Sequence, residues 1–375
     1  MAQGKKIYVI AGEASGDLHA SNLMAAMLER DPNLDFRFWG GDKMAEVHSG
    51  LVKHIRDLAF MGFWEVITNI RTILKNISFC KEDILAYEPD AILLVDYPGF
   101  NLRIAEWAHE KGIKVIYYIS PQVWAWKQKR VHKIKQVVDK MFVILPFEKE
   151  FYERFNYDVT YVGHPLLDEI AKHGFSEEQR KAFYAKHELD ARPIIAVLPG
   201  SRRQEVSKKL PIMLDALKPF TEYQVVIAGA PSLDEAFYAP FNSENVKMIS
   251  NETYHLLQSS EAAVVTSGTA TLETALFKVP EVVCYKSSRF SYEIAKRLVK
   301  VKYISLVNLI MDREVVRELI QGDCNSEAIR EELSKLLKDD AYRAALMKNY
   351  DELEVILGGG GASDKVAESL LLELK

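Results

Sequence analysis

The sequence predicts an α/β protein built as two doubly wound, Rossmann-like domains facing across a cleft. Three observations predict it. Short apolar runs rich in β-branched residues recur along the chain, stop in small residues, and are followed by helical patterns. The series restarts at Ile194, after a polar helical stretch over residues 176–189. At 375 residues, with 48% hydrophobic and 27% charged, the chain can fill two cores of ordinary size. The expected division is 1–172 for the first domain and 173–355 for the second, with 356–375 a C-terminal helix open to packing back on the first.

Composition removes several classes. A net charge of −5 argues against a general nucleic-acid binder. Cys80, Cys284 and Cys324 are scattered and lack C-x-x-C spacing, so neither a disulfide framework nor a zinc site is indicated, and a reducing cytosol fits. No apolar stretch is long enough to span a bilayer, so membrane contact is expected to be peripheral.

The first expected strand, from Ile7, ends at Gly12, and a helix restarts from Asp17. In open α/β sheets, ligands bind beyond the carboxyl ends of the strands, so Glu13, Ser15 and Asp17 are expected at that crevice. Without G-x-G-x-x-G, and with two carboxylates, the loop suits a hydroxyl-rich ligand better than a pyrophosphate. The alternative is that Asp17 only caps a helix. Phe36 to Trp39 reads as the next strand. Residues 60–79 read as an amphipathic helix with Phe63, Val66, Ile67, Ile70, Ile73, Leu74 and Ile77 on one face. It suits either a core or, with Trp64 and the basic residues after it, a membrane interface. Ala91 to Val95 is a continuous apolar strand ending at Asp96. A carboxylate there, beside Tyr97, Pro98 and Phe100, suits a general base for a hydroxyl, or else a turn cap. Residues 113–119 form a strand leading to Ser-Pro-Gln-Val-Trp-Ala-Trp and to Lys127, Lys129, Arg130, His132, Lys133 and Lys135. Aromatics beside cations suit a sugar and an anion, or a solvated basic helix face. Strands over 141–145 and 159–162 follow, and His164 before a proline reads as a turn residue.

In the second half, Ile194 to Leu198 runs into Pro-Gly-Ser-Arg-Arg. Gly200 permits close approach, Ser201 and the first helical amides can donate, and Arg202 or Arg203 can neutralise a phosphate. No Walker ending is present, so nucleotide hydrolysis is not suggested. Strands are expected over 223–228, 246–249 and 262–265. The last meets Thr266-Ser267-Gly268-Thr269, whose exposed amides suit a diphosphate, with Glu273 placed to accept two hydrogen bonds from a ribose diol. Residues 282–285 and 303–308 read as the last strands, Asn308 as a buried amide needing partners, and the chain from Asp312 as largely helical.

Carboxylates in one half, and amides, arginine and a diol acceptor in the other, suit a sugar-nucleotide transferase. Gly12-Glu13-Ala14-Ser15-Gly16-Asp17, Met61-Gly62-Phe63, Asp96-Tyr97-Pro98-Gly99-Phe100-Asn101, Ser120-Pro121-Gln122-Val123-Trp124-Ala125-Trp126, Gly163-His164-Pro165 and Leu198-Pro199-Gly200-Ser201-Arg202 occur in order, and together resemble the lipid-A-disaccharide synthase family. The resemblance implies an inverting glycosyltransferase of the two-Rossmann (GT-B) type, cytoplasmic and peripheral to the inner membrane, needing no cofactor and no metal. Such enzymes join UDP-2,3-diacylglucosamine to 2,3-diacylglucosamine 1-phosphate, giving a β(1→6) disaccharide and UDP. It implies Asp96 as the base, Arg202 and the amides near Gly268 as stabilisers of departing UDP, and Asn308 on the nucleotide side, although Val307 stands where the family has proline. The implied partners are the two acylated sugars and a membrane surface; a homodimer is left open. A UDP-sugar epimerase of the same fold would need no acceptor, and a noncatalytic lipid-binding module would leave the arginine loop and Glu273 without a role.

Overall fold

The computed structural model describes residues 4–58, 70–230, 233–243, 245–288, 292–293, 296–297 and 301–374. The chain forms two compact units, Met1–Asp168 with Gly358–Lys375, and Glu169–Leu357.

In the first unit, β1 (Lys6–Ala11), β2 (Asp35–Gly40), β3 (Leu51–His54), β4 (Ala91–Val95), β5 (Lys114–Tyr118), β6 (Lys140–Val143) and β7 (Thr160–Tyr161) form one sheet in the order β3-β2-β1-β4-β5-β6-β7, every pairing parallel. A parallel sheet is covered on both faces, which is why its inner strands read as unbroken apolar runs. Alternate residues of β1 serve the two faces. Ile7, Val9 and Ala11 pack with Leu23, Met24 and Met27 of the helix Ala14–Arg30 and with Val366, Ala367 and Leu370 of the helix Ala362–Glu373. Tyr8 points the other way and donates to Asp83 Oδ2 at 2.7 Å, on the helix Ile70–Tyr87. Arg37 grips the same carboxylate through Nε at 2.8 Å and Nη2 at 2.6 Å. The final helix is fastened by Asp168, whose carboxylate accepts from the Gly361 and Ser363 amides, and by the Arg30–Asp364 ion pair at 2.7 Å.

In the second unit, β8 (Ile194–Leu198), β9 (Gln224–Gly229), β10 (Val246–Ser250), β11 (Ser260–Thr266), β12 (Glu281–Tyr285) and β13 (Arg317–Ile320) form a parallel sheet in the order β10-β9-β8-β11-β12-β13. Ile194, Ala196, Leu198, Ala263 and Val265 share a core with Leu256 and Leu257 of the helix Thr253–Gln258 and with Phe183 of the helix Glu177–Lys186.

Two expectations are corrected, and a third lies partly outside the described residues. Residues 303–308 are not a strand: Ser305 accepts from the Asn308 amide at 3.2 Å and caps a helix over Leu306–Met311. Local hydrogen bonding by serine thus overrides the apolar run around it. The chain after Asp312 is helical apart from β13, and β3 is a further strand that the sequence pattern does not show. Both are four-residue edge strands, and on an edge neither apolar continuity nor clean alternation is required. The expected helix over 60–79 lies partly outside the described residues, which hold only its portion from Ile70; Met61, Phe63 and Trp64 are among those outside.

Candidate functional site

In both sheets the strand order reverses beside the first strand of the unit, between β1 and β4 and between β8 and β11. Loops leaving such a pair diverge to opposite faces of the sheet and open a crevice at their carboxyl ends. Of the predicted site residues, Glu13, Ser15 and Asp96 lie at the first junction and Gly200, Ser201, Arg202, Gly268 and Thr269 at the second.

At the β1/β4 junction, Ala11 pairs with Val95, so the Gly12–Glu13 loop lies beside Asp96 and Tyr97. A Cβ on Gly12 would sit 2.2 Å from Tyr97 Cδ1, so only glycine admits the tyrosine ring there. Asp96 and Tyr97 both take left-handed backbone conformations, with φ of 47° and 48°, costing about 1–2 kcal/mol each. The turn is held by Asn101, fully buried, whose Nδ2 donates to Asp96 O at 2.8 Å and to Ile10 O and Val95 O at 3.3 Å. Tyr117 Oη adds a 2.5 Å bond to Asp96 O. Strain maintained by this many groups is typical of a working site. Burial, and then the charge of Glu13, push the Asp96 carboxyl up to about 6, with the Tyr97 amide pulling the other way. A base of that strength is ionised at neutral pH yet still takes a proton readily.

Glu13 is half-buried and Ser15 exposed at this edge. Asp17 is different. It is 4% exposed, and its carboxylate accepts from the amides of Gly41 at 2.6 Å, Lys43 at 3.2 Å and Met44 at 3.2 Å. It caps the helix Asp42–Val47 and ties it to the opening helix, in keeping with a capping role. His164 is buried, its Nδ1 accepts from the Leu166 amide at 3.2 Å, and burial pulls its ring down to about 3, with His19 adding to the effect; it is a neutral turn residue. Trp124 packs edge-on against Phe147 inside the unit, whereas Trp126 is exposed with Lys127 Nζ 4.2 Å from its ring centroid.

At the β8/β11 junction, Leu198 pairs with Val265. Gly200 has φ of 106°, and a Cβ there would lie 3.1 Å from Glu205 Oε2. The helix Arg203–Leu217 begins beyond it, and Ser201 and Arg202 are exposed at its N-terminus. The structure distinguishes the two arginines. Both are exposed, and each has one carboxylate contact, Arg202 with Glu205 at 3.4 Å and Arg203 with Asp234 at 4.0 Å, but Arg203 also lies over the Phe237 ring at 4.6 Å. Gly268 and Thr269 open the helix Thr269–Leu276, and a Cβ on Gly268 would meet nothing within 4 Å, so no neighbour demands its smallness. Two helix N-termini open at the ends of these adjacent strands, with the exposed Arg202 at the first, and such termini present unpaired amides that suit an anion. Glu273 stands in the second helix, its carboxyl raised by burial and hydrogen-bonded by Tyr254 Oη at 3.1 Å.

Asn308 is placed among protein partners. It is fully buried and occupied by the protein, accepting from Val315 N at 2.7 Å and Val316 N at 3.0 Å and donating to Val316 O at 2.8 Å and Glu318 Oε1 at 2.9 Å. Glu318 also binds the amides of Ile304 and Ser305, and the Ile304 carbonyl accepts from Ser267 Oγ at 2.8 Å. Asn308 thus braces the segment behind Gly268.

Sequence reasoning missed Glu148 and Lys209. Glu148 is buried, raised to about 7 by that burial, and accepts from Ser120 Oγ at 2.5 Å and Leu145 N at 2.9 Å, anchoring the start of the Ser120–Trp126 motif. Lys209 is 1% exposed beneath Gly200, 3.9 Å from Glu205. Both sit on ordinary amphipathic helices, where no sequence signal separates an inward charge from an outward one. Among the described residues no group of three or more His, Cys, Asp or Glu side chains could hold a metal ion, and no helix is long and apolar enough to cross a membrane.

The fold resembles solved sugar-nucleotide enzymes. A UDP-GlcNAc 2-epimerase from Neisseria meningitidis, bound to UDP-GlcNAc, superposes with a TM-score of 0.70 at 15% identity, covering 98% of this chain and all of that one. The glycotransferase of kitacinnamycin superposes at 0.64 and 14% identity, covering 99% of this chain and all of the other. These likenesses establish the GT-B type of fold. Sequence goes further. The lipid-A-disaccharide synthase of Syntrophus aciditrophicus is 39% identical over 99% of this chain and 98% of its own length, and that of Myxococcus xanthus 38% identical over 99% and 98%. With the lipid-A-disaccharide synthetase family model matching residues 7–363, this chain belongs to the lipid-A-disaccharide synthase family and is a glycosyltransferase.

Proposed function

We propose that the enzyme joins UDP-2,3-diacylglucosamine to 2,3-diacylglucosamine 1-phosphate with inversion, the first unit supplying the base and the second holding UDP. The Asp96 carboxylate takes the proton of the acceptor 6-hydroxyl as its oxygen bonds to the donor anomeric carbon. The bond from that carbon to the diphosphate breaks, and UDP leaves with the electron pair. Arg202 and the amides following Gly200 and Gly268 stabilise its charge, while Glu273 holds the ribose diol. Glu13 keeps Asp96 basic. The observation that carries this reading is the contrast between the two reversal points: a desolvated carboxylate at one, and an arginine with two helix N-termini at the other.

The site is proposed to work at a membrane surface, since both substrates carry acyl chains. Leu74 and Leu85, eleven residues apart and so on one side of the helix Ile70–Tyr87, are 54% and 50% exposed, which supports an apolar contact from that side.

The test is UDP release by purified enzyme given both acylated sugars, then each alone. Release that requires both supports transfer. Release from the donor alone would replace it with hydrolysis or epimerisation, and UDP binding without release would favour a noncatalytic role.

A further inference from the structure

Glu273 and Phe277 are four residues apart, so they share one side of the helix that begins at Thr269. Tyr254, on the helix Thr253–Gln258, spans them both. Its ring packs on Phe277 with centroids 5.0 Å apart and edge-on to His173 at 5.0 Å, and its hydroxyl donates to Glu273 Oε1 at 3.1 Å. Held between two rings, the phenol has little freedom to leave the carboxylate. Among the described residues this is the only hydrogen bond to the Glu273 side chain, and Oε2 has no protein donor. A carboxylate that must meet a diol with both lone-pair edges aligned needs its orientation set before the ligand arrives.

We propose that Tyr254 is a positioning residue for the donor ribose: it pins Oε1 of Glu273 so that the carboxylate is already turned to accept from the 2′- and 3′-hydroxyls. The inference rests on the reading of Glu273 as the ribose acceptor. The charged groups around the pair fit the role. Tyr254 feels the charge of Glu273 and, more weakly, of Glu169, which is itself bound to His173 Nε2 at 3.1 Å. Two carboxylates near one phenol keep it protonated and therefore a donor; its own ionisation is pushed far up by burial and by Glu273. The bond in turn holds the Glu273 carboxyl lower than burial alone would.

The experiment compares binding of UDP and 2′,3′-dideoxy-UDP to the full chain and to Glu273→Gln and Tyr254→Phe. The unsubstituted enzyme is expected to prefer UDP, and Glu273→Gln to lose that preference. Tyr254→Phe is expected to lower the preference about three- to tenfold, as for one hydrogen bond, while leaving dideoxy-UDP affinity unchanged. In Tyr254→Phe the fall of UDP affinity on acidification should also begin at higher pH, because the carboxyl has lost the donor that favours its ionised form. Equal weakening of both nucleotides would mean that Tyr254 only packs, and overturns the proposal, as does an unchanged preference and pH profile. A preference that survives Glu273→Gln overturns the ribose assignment itself, and with it the role of Tyr254.

Discussion

The β1/β4 and β8/β11 junctions occupy the same place in two sheets that reverse direction in the same way, yet they carry opposite chemistry. The first turns through two left-handed non-glycine residues and presents a half-desolvated carboxylate. The second turns through Gly200 and Gly268 and presents amides and an exposed arginine. The doubly wound sheet decides where a ligand can approach; the few residues after each strand decide what is held there. Strain is tolerated at the first because Asn101 and Tyr117 tie down the Asp96 carbonyl, and avoided at the second because glycine needs no such support.

Breaking the first junction should have the largest effect. Asp96→Asn should lower kcat by about 10²–10⁴ while leaving the dissociation constant of UDP unchanged, as steady-state rates and a nucleotide titration would reveal. If UDP binding falls with it, the division of labour between the junctions fails. Breaking the second should act on the nucleotide instead. Arg202→Met should cost about 10–100-fold in kcat/KM for the donor, with Arg202→Lys recovering only part because a point charge replaces the fork. A comparable loss in Arg203→Met would contradict the placement of Arg203 on Phe237 and Asp234.

A third variant separates perturbed ionisation from function. Glu281, at the start of β12 and so at the end of its strand away from the crevice, is 1% exposed, has no hydrogen-bond partner for either oxygen among the described residues, and is raised well above the usual carboxylate range by burial. A carboxyl raised in the folded state is stabilising to bury only while protonated. The fold therefore loses stability as pH climbs from the unfolded value near 4.5 toward the folded one. Glu281→Gln should raise the melting temperature by a few degrees at pH 8, by less at pH 5, and leave turnover unchanged. Asp96 shares the direction of shift but sits at the crevice end; position in the sheet, not the shift, is what supports proposing it as the base.

The smallest expected effect sharpens the first junction. Glu13 raises Asp96, so Glu13→Gln should move the acid limb of the rate profile, expected near pH 6, downward by a fraction of a unit, with activity retained further into acid. An unmoved limb would assign that limb to another group.

Much of this was legible in the chain. Inner parallel strands are buried on both faces, so Ile7 to Ala11, Ala91 to Val95 and Ile194 to Leu198 announce themselves as apolar runs, and the loops after them hold Glu13, Asp96, Gly200 and Arg202. Edge strands and side-chain direction were not legible. The edge strands Leu51–His54 and Arg317–Ile320 need no apolar continuity, and Asp17 and Asn308 look alike as ligands or as braces until their partners are known.

What the sequence by itself determined is the fold class, the family, and the loops where chemistry gathers, because burial periodicity and small residues at strand ends are local properties. What only the tertiary structure decided is which polar side chains those loops leave available. Asp17 caps a helix that begins 25 residues later, Asn308 braces Glu318 and the Val315–Val316 backbone, Arg203 lies on Phe237, and Tyr254 holds Glu273 from another helix. Each is a hydrogen bond or ring contact between segments brought together by folding, and a buried polar group takes its role from the partner that satisfies it.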